Sequence, residues 1–534
     1  MQLETLDVTV RDYITNYVKQ IETACEERIK EFQKTIKEYE FENLRLKEEN
    51  ALLLYKRFGR SAEKLLADKT QPLLFTEETT STKPHEESVN DIIEVRTFKR
   101  KKPGRKAIDS RLPREEKIID IPEEEKTCAC GAKLTQIGQE TSENLHIIPP
   151  KIFVEKIIRL KYGCRCCEGT GDEEAPAVRI APVEPSIIPR SIASPSLLST
   201  IMIQKYEDHL PFFRQEKQFQ RIWVMISRQD MCNWQQKIYK FLVQLFVLLK
   251  EMLKSGPVIR MDETHVQVIK EEGRSYEQLS YMWLALGGPP GKPVVLYEYR
   301  ETRAGGHARK LLEGFTGYLQ TDGYDGYDSA IKDMSGIIHV GCFAHVRRKF
   351  FEAEKISGQD GAAKEGLAFI RKLYNIEREL RQAKEEDKIT DEEFLEKRKT
   401  HAVPVLNDFK AWLLCHGEDV VPTSLLLGKA ISYTVRQWDK LVRYLESPYL
   451  TPDNNACENA IRPFVLGRKN WLFNQTPAGA DSSCGMFSLI ETAKLNGLNP
   501  WDYLFELFEK APYASTPADW EKLLPWDEHF HRKN

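Results

Sequence analysis

The feature that most constrains the fold is the order of short apolar segments that begins at residue 256. Three strand-like segments come first, and two further strands then alternate with helices predicted at 305–314, at 326–334 and from Phe343 onward. Short connections favour an antiparallel meander, whereas strands separated by helices are expected to be parallel. The predicted strands are VIRM (258–261), SYMWLALG (280–287), PVVLYEYRETR (293–303), GYLQTD (317–322) and IIHVGC (337–342).

This order matches the ribonuclease-H-like fold, in which the first strand is central and the fourth lies beside it. A charge-rich, helical stretch follows at 355–450, and no strand pattern resumes within it. We therefore predict an α/β multidomain chain. Its ribonuclease-H-like core covers 256–354, is interrupted by a helical insertion at 355–450, and is completed by 451–534.

Three acidic residues stand where this fold would bring them together. Asp262 closes the first core strand, Asp322 closes the fourth, and Glu458 lies on a helix opened by an Asp453-Asn454-Asn455 cap. A lone Asp at a strand end is usually a turn or cap residue, so position in the fold is what singles these out. Three carboxylates can hold two Mg²⁺ or Mn²⁺ ions for phosphodiester hydrolysis.

Four residues near these acids in the sequence could also contribute to the site. Glu263 should point to the opposite side of its strand and is predicted to be a bystander. Asp325 and Asp328 are interpreted as turn and helix-start residues. His345 either lines the site near the third acid or is an ordinary structural histidine.

Positive charge follows the third acid. Arg462 lies four residues after Glu458 and therefore on the same helix face, and Arg468 and Lys469 come after a glycine. A carboxylate flanked by cations fits a site that holds both metal ions and a phosphate chain. We predict that Arg462, Arg468 and Lys469 contact DNA.

The first 66 residues are typical of a long helix with a heptad seam. Lys and Glu crowd the flanking positions, which favours a parallel coiled coil over a single helix packed on its own domain. The predicted oligomer is a homodimer or larger. One set of heptad positions holds Cys25, Phe32, Tyr39, Leu46 and Leu53, and the other holds Ile29, Ile36, Asn43 and Asn50.

A linker is predicted at 67–110, and it contains the basic run KRKKPGRK (99–106), in which six of eight residues are basic. Such a run either forms a solvated tail or binds DNA phosphates. If it binds DNA, each phosphate contact adds salt-dependent affinity. The candidate phosphate contacts are Lys99, Arg100, Lys101, Lys102, Arg105 and Lys106.

A small cysteine module is predicted at 111–182. Two cysteine knuckles flank a possible strand at 151–162, an arrangement typical of a zinc ribbon with four thiolates around structural Zn²⁺. The alternative is a group of ordinary thiols that bind no metal. The proposed ligands are Cys128, Cys130, Cys164 and Cys167.

Residues 183–255 are predicted to be helical. The segment 219–238 has the pattern of a helix-turn-helix whose second helix is capped by Ser227. Nothing in the pattern separates a DNA-recognition helix from a helix of a plain bundle, and both interpretations stay open.

Composition limits the remaining classes of protein. The 534 residues are 41% hydrophobic with a net charge of only -3, so total charge does not indicate a nucleic-acid partner. No apolar run is long enough to span a membrane, and the N-terminus lacks a signal-peptide pattern. Clustered cysteines suggest metal rather than disulfides, and we expect a cytoplasmic protein.

Several of these segments together resemble the insertion sequence 66 family of bacterial transposases, which carry a DDE catalytic triad. They span most of the chain in family order. The matching stretches are YKRFGRSAEKL (55–65), the two cysteine knuckles, KYEDHLPFFRQ (205–215), MDETHVQV (261–268), LQTDGYDGY (319–327), VGCFAHVRRKFFEA (340–353), DNNACENAIRPFVLGRKNWLF (453–473) and SLIETAKLNGLNP (488–500).

The resemblance implies a leucine-zipper-like N-terminus, a zinc-finger-like domain and a ribonuclease-H-like core with a helical insertion. By motif, Asp262, Asp322 and Glu458 fall on the three catalytic acids. It also implies DNA as the partner, small accessory proteins from the same element, and a cytoplasmic location associated with the bacterial nucleoid. The alternatives are a structure-specific nuclease of the same fold and a DNA-binding regulator with an inactive core.

Overall fold

The computed structural model describes residues 8–58, 152–163, 178–357, 361–417 and 420–531. Contacts divide the chain into two compact units, Met1–Thr76 with Glu184–Asn534, and Glu77–Val183. The predicted basic run and Cys128, Cys130, Cys164 and Cys167 lie outside the described residues. Among the helices that are described, none is both long and apolar enough to cross a membrane.

The N-terminal prediction of one long helix is confirmed, since α1 spans Val8–Phe58. Its heptad residues are not buried by the rest of the chain: Phe32, Tyr39 and Leu53 are all exposed. Near its end, the Glu48 carboxylate accepts the backbone N–H of Leu426 at 2.9 Å. The seam therefore remains a free apolar stripe along most of the described helix.

In the smaller unit, the predicted strand at 151–162 is largely wrong. Only β1 (Lys161–Gly163) is a strand, paired antiparallel with β2 (Val178–Ile180). Residues 152–160 pair with no described strand, and their apolar side chains, including Val154 and Ile157, are exposed. Alternating apolar residues therefore do not form a strand here, because no described strand pairs with them.

A helical region precedes the sheet, as predicted. Ser227 caps its third helix, with a reciprocal capping box to Asp230, which confirms the cap prediction. The helices are α2 (Pro195–Tyr206), α3 (Phe212–Arg221), α4 (Arg228–Phe241) and α5 (Val243–Lys254).

The main sheet has the order β5-β4-β3-β6-β7, and β8 pairs with the far end of β3. Strands β3, β4 and β5 form an antiparallel meander, while β6 and β7 run parallel to β3, as the sequence predicted. The strands are β3 (Val258–Val268), β4 (Ser280–Gly287), β5 (Val294–Arg300), β6 (Gly317–Gln320), β7 (Ile337–Val340) and β8 (Phe473–Asn474).

Two strand ends differ from the prediction. β3 does not end at Asp262, because β4 continues to pair with it as far as Val266 and β8 pairs beyond that. Asp262 therefore lies inside a strand. β6 ends at Gln320, where its partner β7 ends at Val340, so Asp322 lies two residues beyond the strand.

The remaining helices flank the sheet or form the predicted insertion. Their bounds are α6 (Gly305–Leu312), α7 (Asp325–Ile331), α8 (Phe343–Ser357), α9 (Ala362–Glu385), α10 (Asp391–Cys415), α11 (Leu426–Leu441), a 3-10 helix (Val442–Glu446), α12 (Asn455–Trp471), α13 (Pro477–Leu495), α14 (Pro500–Lys510), a second 3-10 helix (Ala511–Tyr513), α15 (Pro517–Glu521) and α16 (Glu528–His531).

The edge strand β5 is covered by α13, which is buried over most of its length. Two α13 hydroxyls accept backbone N–H groups of β5: Thr492 from Val295 at 3.0 Å, and Ser488 from Tyr297 at 2.9 Å. A bare sheet edge would leave such donors open to pairing with another chain. Small hydroxyl residues on α13 thus satisfy this edge.

A buried arginine holds the insertion together. The Arg398 guanidinium on α10 is fully buried and donates to the Glu377 carboxylate on α9 at 2.7 Å. It also donates to the backbone carbonyls of Tyr444, Ser447 and Leu450. Two insertion helices are thereby tied to the segment that leads toward Glu458.

Replacing Arg398 by Met should destabilise the insertion by about 3 to 5 kcal/mol, because it leaves a buried carboxylate and three carbonyls without this donor. Hydrogen exchange of the α9 and α10 amides as a function of urea measures this. Lys397→Met, one residue away and exposed, is the matched control and should change stability by less than about 0.5 kcal/mol. Equal losses in the two variants would contradict this role.

Candidate active site

Asp262 lies in the central strand β3, where its side chain is partly buried. Its Oδ1 accepts the backbone N–H of Glu263 at 2.9 Å. Burial raises the pKa of Asp262 well above its ordinary value, and the nearby carboxylates of Glu263, Glu458 and Asp322 raise it further. The three predicted acids therefore lie close enough to repel one another.

Asp322 lies in the turn between β6 and α7. Its Oδ1 accepts the backbone N–H of Tyr324 at 3.0 Å, which fixes the carboxylate direction. Gly323 follows it, and a Cβ there would collide with the Tyr433 hydroxyl of α11. A larger residue at this position would therefore push the Tyr433 side chain of the insertion away from the turn.

Glu458 lies in the first turn of α12, with its side chain 11% exposed. Burial raises the pKa of Glu458, and the Asp453 and Asp322 carboxylates act in the same direction, while Arg348 and Arg462 oppose them. The Arg348 guanidinium on α8 lies 3.9 Å from its Oε2. A third carboxylate thus reaches the other two from a different element.

Asn454, the residue at the N-terminus of α12, places this helix against the sheet. Its side-chain amide donates to the Met261 carbonyl at 3.0 Å, beside Asp262 in β3. Its backbone N–H donates to the Cys342 Sγ at 3.2 Å, next to the start of α8. Asn454 therefore makes no side-chain cap on α12, and instead holds together the elements that carry Asp262, Glu458 and His345.

His345 lies in the first turn of α8, with its Nδ1 3.9 Å from Glu458 Oε1. Both atoms are buried without a hydrogen-bond partner in the described part of the chain. Burial lowers the pKa of His345 to about 4, with Arg348 as the next cause, so the imidazole is neutral at physiological pH. Potential ligand atoms of Cys342, His345 and Glu458 all lie within 4.8 Å of one another.

Glu263, predicted to be a bystander, lies in a buried network beside the site. Its side chain is 1% exposed, accepts from Arg303 Nε at 2.6 Å, and is hydrogen-bonded by the Tyr327 hydroxyl. Arg303 also stacks on the Tyr324 ring at 3.8 Å and lies 3.9 Å from Asp322 Oδ2. A buried charge next to the three acids is thus neutralised by a cation that no sequence pattern singled out.

Asp325 and Asp328 have different roles. Asp325 is the exposed first residue of α7, as predicted. Asp328 accepts from Lys440 at 2.6 Å and lies 2.8 Å from His339 Nδ1, and these contacts lower the pKa of Asp328 to about 2. His339 Nε2 reaches Thr321 at 2.8 Å, so this chain of contacts supports the turn that carries Asp322.

The three predicted DNA-contacting cations of α12 have different surroundings. The Arg468 guanidinium donates to the Thr264 hydroxyl at 3.2 Å and to the His265 carbonyl, which ties it to β3. Lys469 is exposed, and Arg462 is near enough to lower the pKa of Glu458. The exposed Lys469 is therefore better placed than Arg468 to meet a phosphate chain.

Comparison with protein families places these elements in one group of proteins. The model described as "Transposase IS66 family" matches residues 190–482, which is more than half of the chain and contains all three acids. The "IS66 C-terminal element" matches residues 488–526.

This chain belongs to the IS66 transposase family.

Two further IS66-related models match the N-terminal part of the chain. "Zinc-finger binding domain of transposase IS66" covers residues 125–168, a range that includes all four predicted zinc ligands. "Transposase C of IS166 homeodomain" covers residues 45–116, which include the end of α1. A transposase with zinc-finger and leucine-zipper-like regions, as the sequence predicted, is thereby confirmed at the level of the family.

Curated relatives of this IS66 family member come from Sinorhizobium fredii (strain NBRC 101917 / NGR234). The uncharacterized protein y4jD is 31% identical over 427 residues, covering 78% of this chain and 80% of the relative. The uncharacterized protein y4qI is 30% identical, with 79% and 77% covered. The similarity therefore extends along most of both chains.

Asp262→Asn should stabilise the metal-free protein near neutral pH. The raised pKa of Asp262 means that the folded state holds this proton more tightly than the unfolded chain, so the stability it contributes is lost as pH rises above the ordinary value. An amide is neutral at every pH. We expect the melting temperature at about pH 8, in chelator, to rise by about 2 °C, with a smaller difference at about pH 5.

The exposed Asp325 provides the control for this experiment. Asp325→Asn removes a carboxylate of the same type from α7 without relieving the repulsion among the buried acids. It should give no gain that grows with pH. A lower melting temperature for Asp262→Asn at both pH values would contradict the electrostatic interpretation.

Proposed function

We propose that this transposase cleaves DNA at the ends of an insertion sequence and joins them to a target, with Asp262, Asp322 and Glu458 as its catalytic acids. The observation that carries the proposal is the mutual electrostatic coupling of these three carboxylates, which come from β3, from the turn after β6 and from α12. Bringing three acids together from separate elements lowers the stability of the folded chain. The arrangement therefore has no evident structural benefit.

The proposed fold of the core is ribonuclease-H-like. A central β3 with an antiparallel meander on one side and parallel β6 and β7 on the other supports this assignment. Interruption by a helical insertion before α12 also agrees with it.

The site is suited to hard divalent cations, and two Mg²⁺ or Mn²⁺ are the proposed cofactors. Asp262, Asp322 and Glu458 would hold them, since carboxylate oxygens are the ligands these ions prefer. The buried Glu458 Oε1 has no hydrogen-bond donor within the described residues, as expected of an atom reserved for a ligand. When bound, such ions activate the attacking oxygen and relieve charge on the leaving oxygen.

The chain's own side chains would orient the DNA around this centre. Arg348 and Arg462 flank Glu458 and are suited to hold phosphate oxygens on that side of the site. Arg303 lies beside Asp322 and keeps the neighbouring Glu263 neutralised. The neutral His345 can accept a hydrogen bond from the attacking water or from a released hydroxyl.

The proposed reaction is hydrolysis followed by direct transesterification. Water would first break a phosphodiester at the element end and release a 3′-hydroxyl. That hydroxyl would then attack a target phosphodiester, forming one P–O bond as another breaks, so no covalent enzyme intermediate is needed.

The N-terminal regions would supply DNA affinity and assembly. The exposed apolar stripe of α1 supports a homodimeric coiled coil, since a stripe of this kind requires a partner helix. The basic run at 99–106, together with Arg462 and Lys469, is proposed to contact DNA phosphates. Small accessory proteins of the same element remain proposed partners.

Asp262→Asn should abolish strand cleavage and joining while leaving binding to element ends intact. Loss of an outer partner of a metal ligand costs about 10- to 100-fold, and loss of a ligand itself should cost more. The assay incubates the full chain, Mg²⁺ and labelled element ends, then separates cleaved from strand-transferred products. Asp325→Asn is the matched control and should retain activity.

The products distinguish the alternatives. Near-normal cleavage by Asp262→Asn would refute the assignment of this acid. Cleavage without joining by the unmodified protein would favour a structure-specific nuclease. Binding without either reaction would favour a DNA-binding regulator with an inactive core.

Cys128, Cys130, Cys164 and Cys167 are proposed to hold structural zinc, and the zinc content should be about one ion per chain. Cys164→Ser should lower this content markedly, because a tetrahedral site loses one thiolate. Cys166→Ser is the matched control, since Cys166 lies between two proposed ligands and is not one of them. Metal analysis by mass spectrometry after gel filtration measures both, and a folded, zinc-free parent protein would refute the site.

A further inference from the structure

An exposed apolar tip joins α3 to α4. It consists of Ile222, Trp223 and Met225, which are 51%, 93% and 78% exposed. The next residue, Ile226, is buried in the core and anchors the turn. Three large apolar side chains thus project from a firmly attached turn into solvent.

The backbone at Trp223 is strained. Its φ is +64°, in the left-handed region that side chains other than those of Gly, Asn and Asp rarely adopt. The Val224 N–H donates to the Phe219 carbonyl at 3.0 Å and the Trp223 N–H to the Gln220 carbonyl at 3.2 Å. This pair of bonds is the Schellman motif, whose left-handed position is usually glycine.

Folding does not account for tryptophan at this position. Glycine would adopt the backbone with less strain, and a ring that is almost fully exposed gains little from burial. Strain that persists at an exposed site is a reason to look for a functional contact. The tip is therefore expected to be covered by a partner.

Exposed cations on the two helices that the tip joins indicate the kind of partner. Arg214, Lys217 and Arg221 lie on α3 and Arg228 lies on α4, and all four side chains are exposed. The Arg228 guanidinium and Lys217 amine each lie 5.9 Å from the ring centre of the exposed Phe213.

Nearby carboxylates are engaged in capping. Asp230 accepts from the Ser227 hydroxyl at 2.6 Å and from the Ser227 backbone N–H at 3.1 Å. Glu216 accepts the Arg228 backbone N–H at 3.3 Å. An exposed apolar tip between two helices that carry exposed cations matches DNA, whose bases stack and whose phosphates attract cations.

We propose that Trp223, with Ile222 and Met225 beside it, inserts against a nucleobase of DNA while the surrounding cations hold the flanking phosphates. This inference rests on the proposed action on DNA. It adds a base-contacting wedge outside the three-acid site. The base belongs either to a duplex step that is opened by the wedge or to an unpaired nucleotide.

Trp223→Gly separates this role from stability. Glycine suits the left-handed position, so the melting temperature should stay the same or rise, while affinity for a duplex of the element end should fall about 10-fold or more. Trp223→Phe keeps an aromatic face and should retain most of the affinity. Fluorescence anisotropy of the full chain with labelled duplex measures binding.

Asp387→Gly is the matched control. Asp387 ends α9 with the same two bonds, from its own N–H to Lys384 and from the Lys388 N–H to Ala383, and its φ is +53°. Asp387→Gly relieves the same kind of left-handed backbone strain without altering the tip. DNA affinity should not change.

Two DNA probes identify the source of the base. A rise in 2-aminopurine fluorescence at one duplex position, lost in Trp223→Gly, would support insertion into a base step. The second probe is a single-stranded oligonucleotide of the same sequence. If Trp223→Gly loses as much affinity for it as for the duplex, and 2-aminopurine fluorescence does not rise, stacking on an unpaired base is supported.

Three outcomes would overturn the proposal. One is parental DNA affinity in Trp223→Gly. A second is altered sedimentation with unchanged DNA affinity, which would make the tip a protein interface. The third is a parent protein that binds neither probe, which would also refute the proposed function. If the parent binds but does not cleave, only the catalytic proposal fails, and the affinity of Trp223→Gly still decides the wedge.

Discussion

Parallel pairing of β3 with β6 determines where the first two acids lie. The register sets Arg260 opposite Gln320, so β6 ends while β3 continues past it through Asp262. Asp322 then emerges from the end of β6 near the middle of its neighbour. Burial raises the pKa of Asp262, repulsion from neighbouring carboxylates that include Asp322 raises it further, and the surrounding structure must offset this cost.

The third acid, Glu458, follows the insertion in the chain, and contacts with the insertion hold the segment that precedes it. Arg381 and Arg398 both donate to the Leu450 carbonyl, and the Gln320 amide of β6 donates to the Thr451 carbonyl at 2.7 Å. Since the entropy cost of closing a long loop grows slowly with its length, a folded insertion of this size is tolerated between two active-site elements. Its helices also fix the residues that precede Glu458.

The sequence was sufficient for elements with strong local signals. Helix α1, strand β4 and the cap of α4 follow from heptads, a continuous apolar run and Ser227. It was insufficient where tertiary partners decide: β3 extends beyond Asp262 because β4 and β8 pair with it. Likewise, Glu263 looked like a bystander because nothing local indicates that Arg303, forty residues later, neutralises it.

The same limit explains why convergence of the acids was predictable but their support was not. Strand order is encoded in apolar periodicity, and it brings Asp262 and Asp322 to neighbouring strands. The contacts that hold them in place join residues such as Asp328 and Lys440, whose types are common on any helix surface. Single polar residues carry no period, so their pairing becomes visible only in three dimensions.

Three non-glycine residues with positive φ show how a requirement of the fold can be distinguished from a requirement of function. Leu472 has φ +64° at the end of α12, and the turn sends the chain directly into β8, which pairs with β3. Asp387 has φ +53°, a conformation that a short polar side chain tolerates. Trp223 has neither reason: its ring contributes little to packing, and its side chain is a poor choice for the backbone it occupies. A demand from outside the folded chain is the remaining physical explanation for tryptophan there.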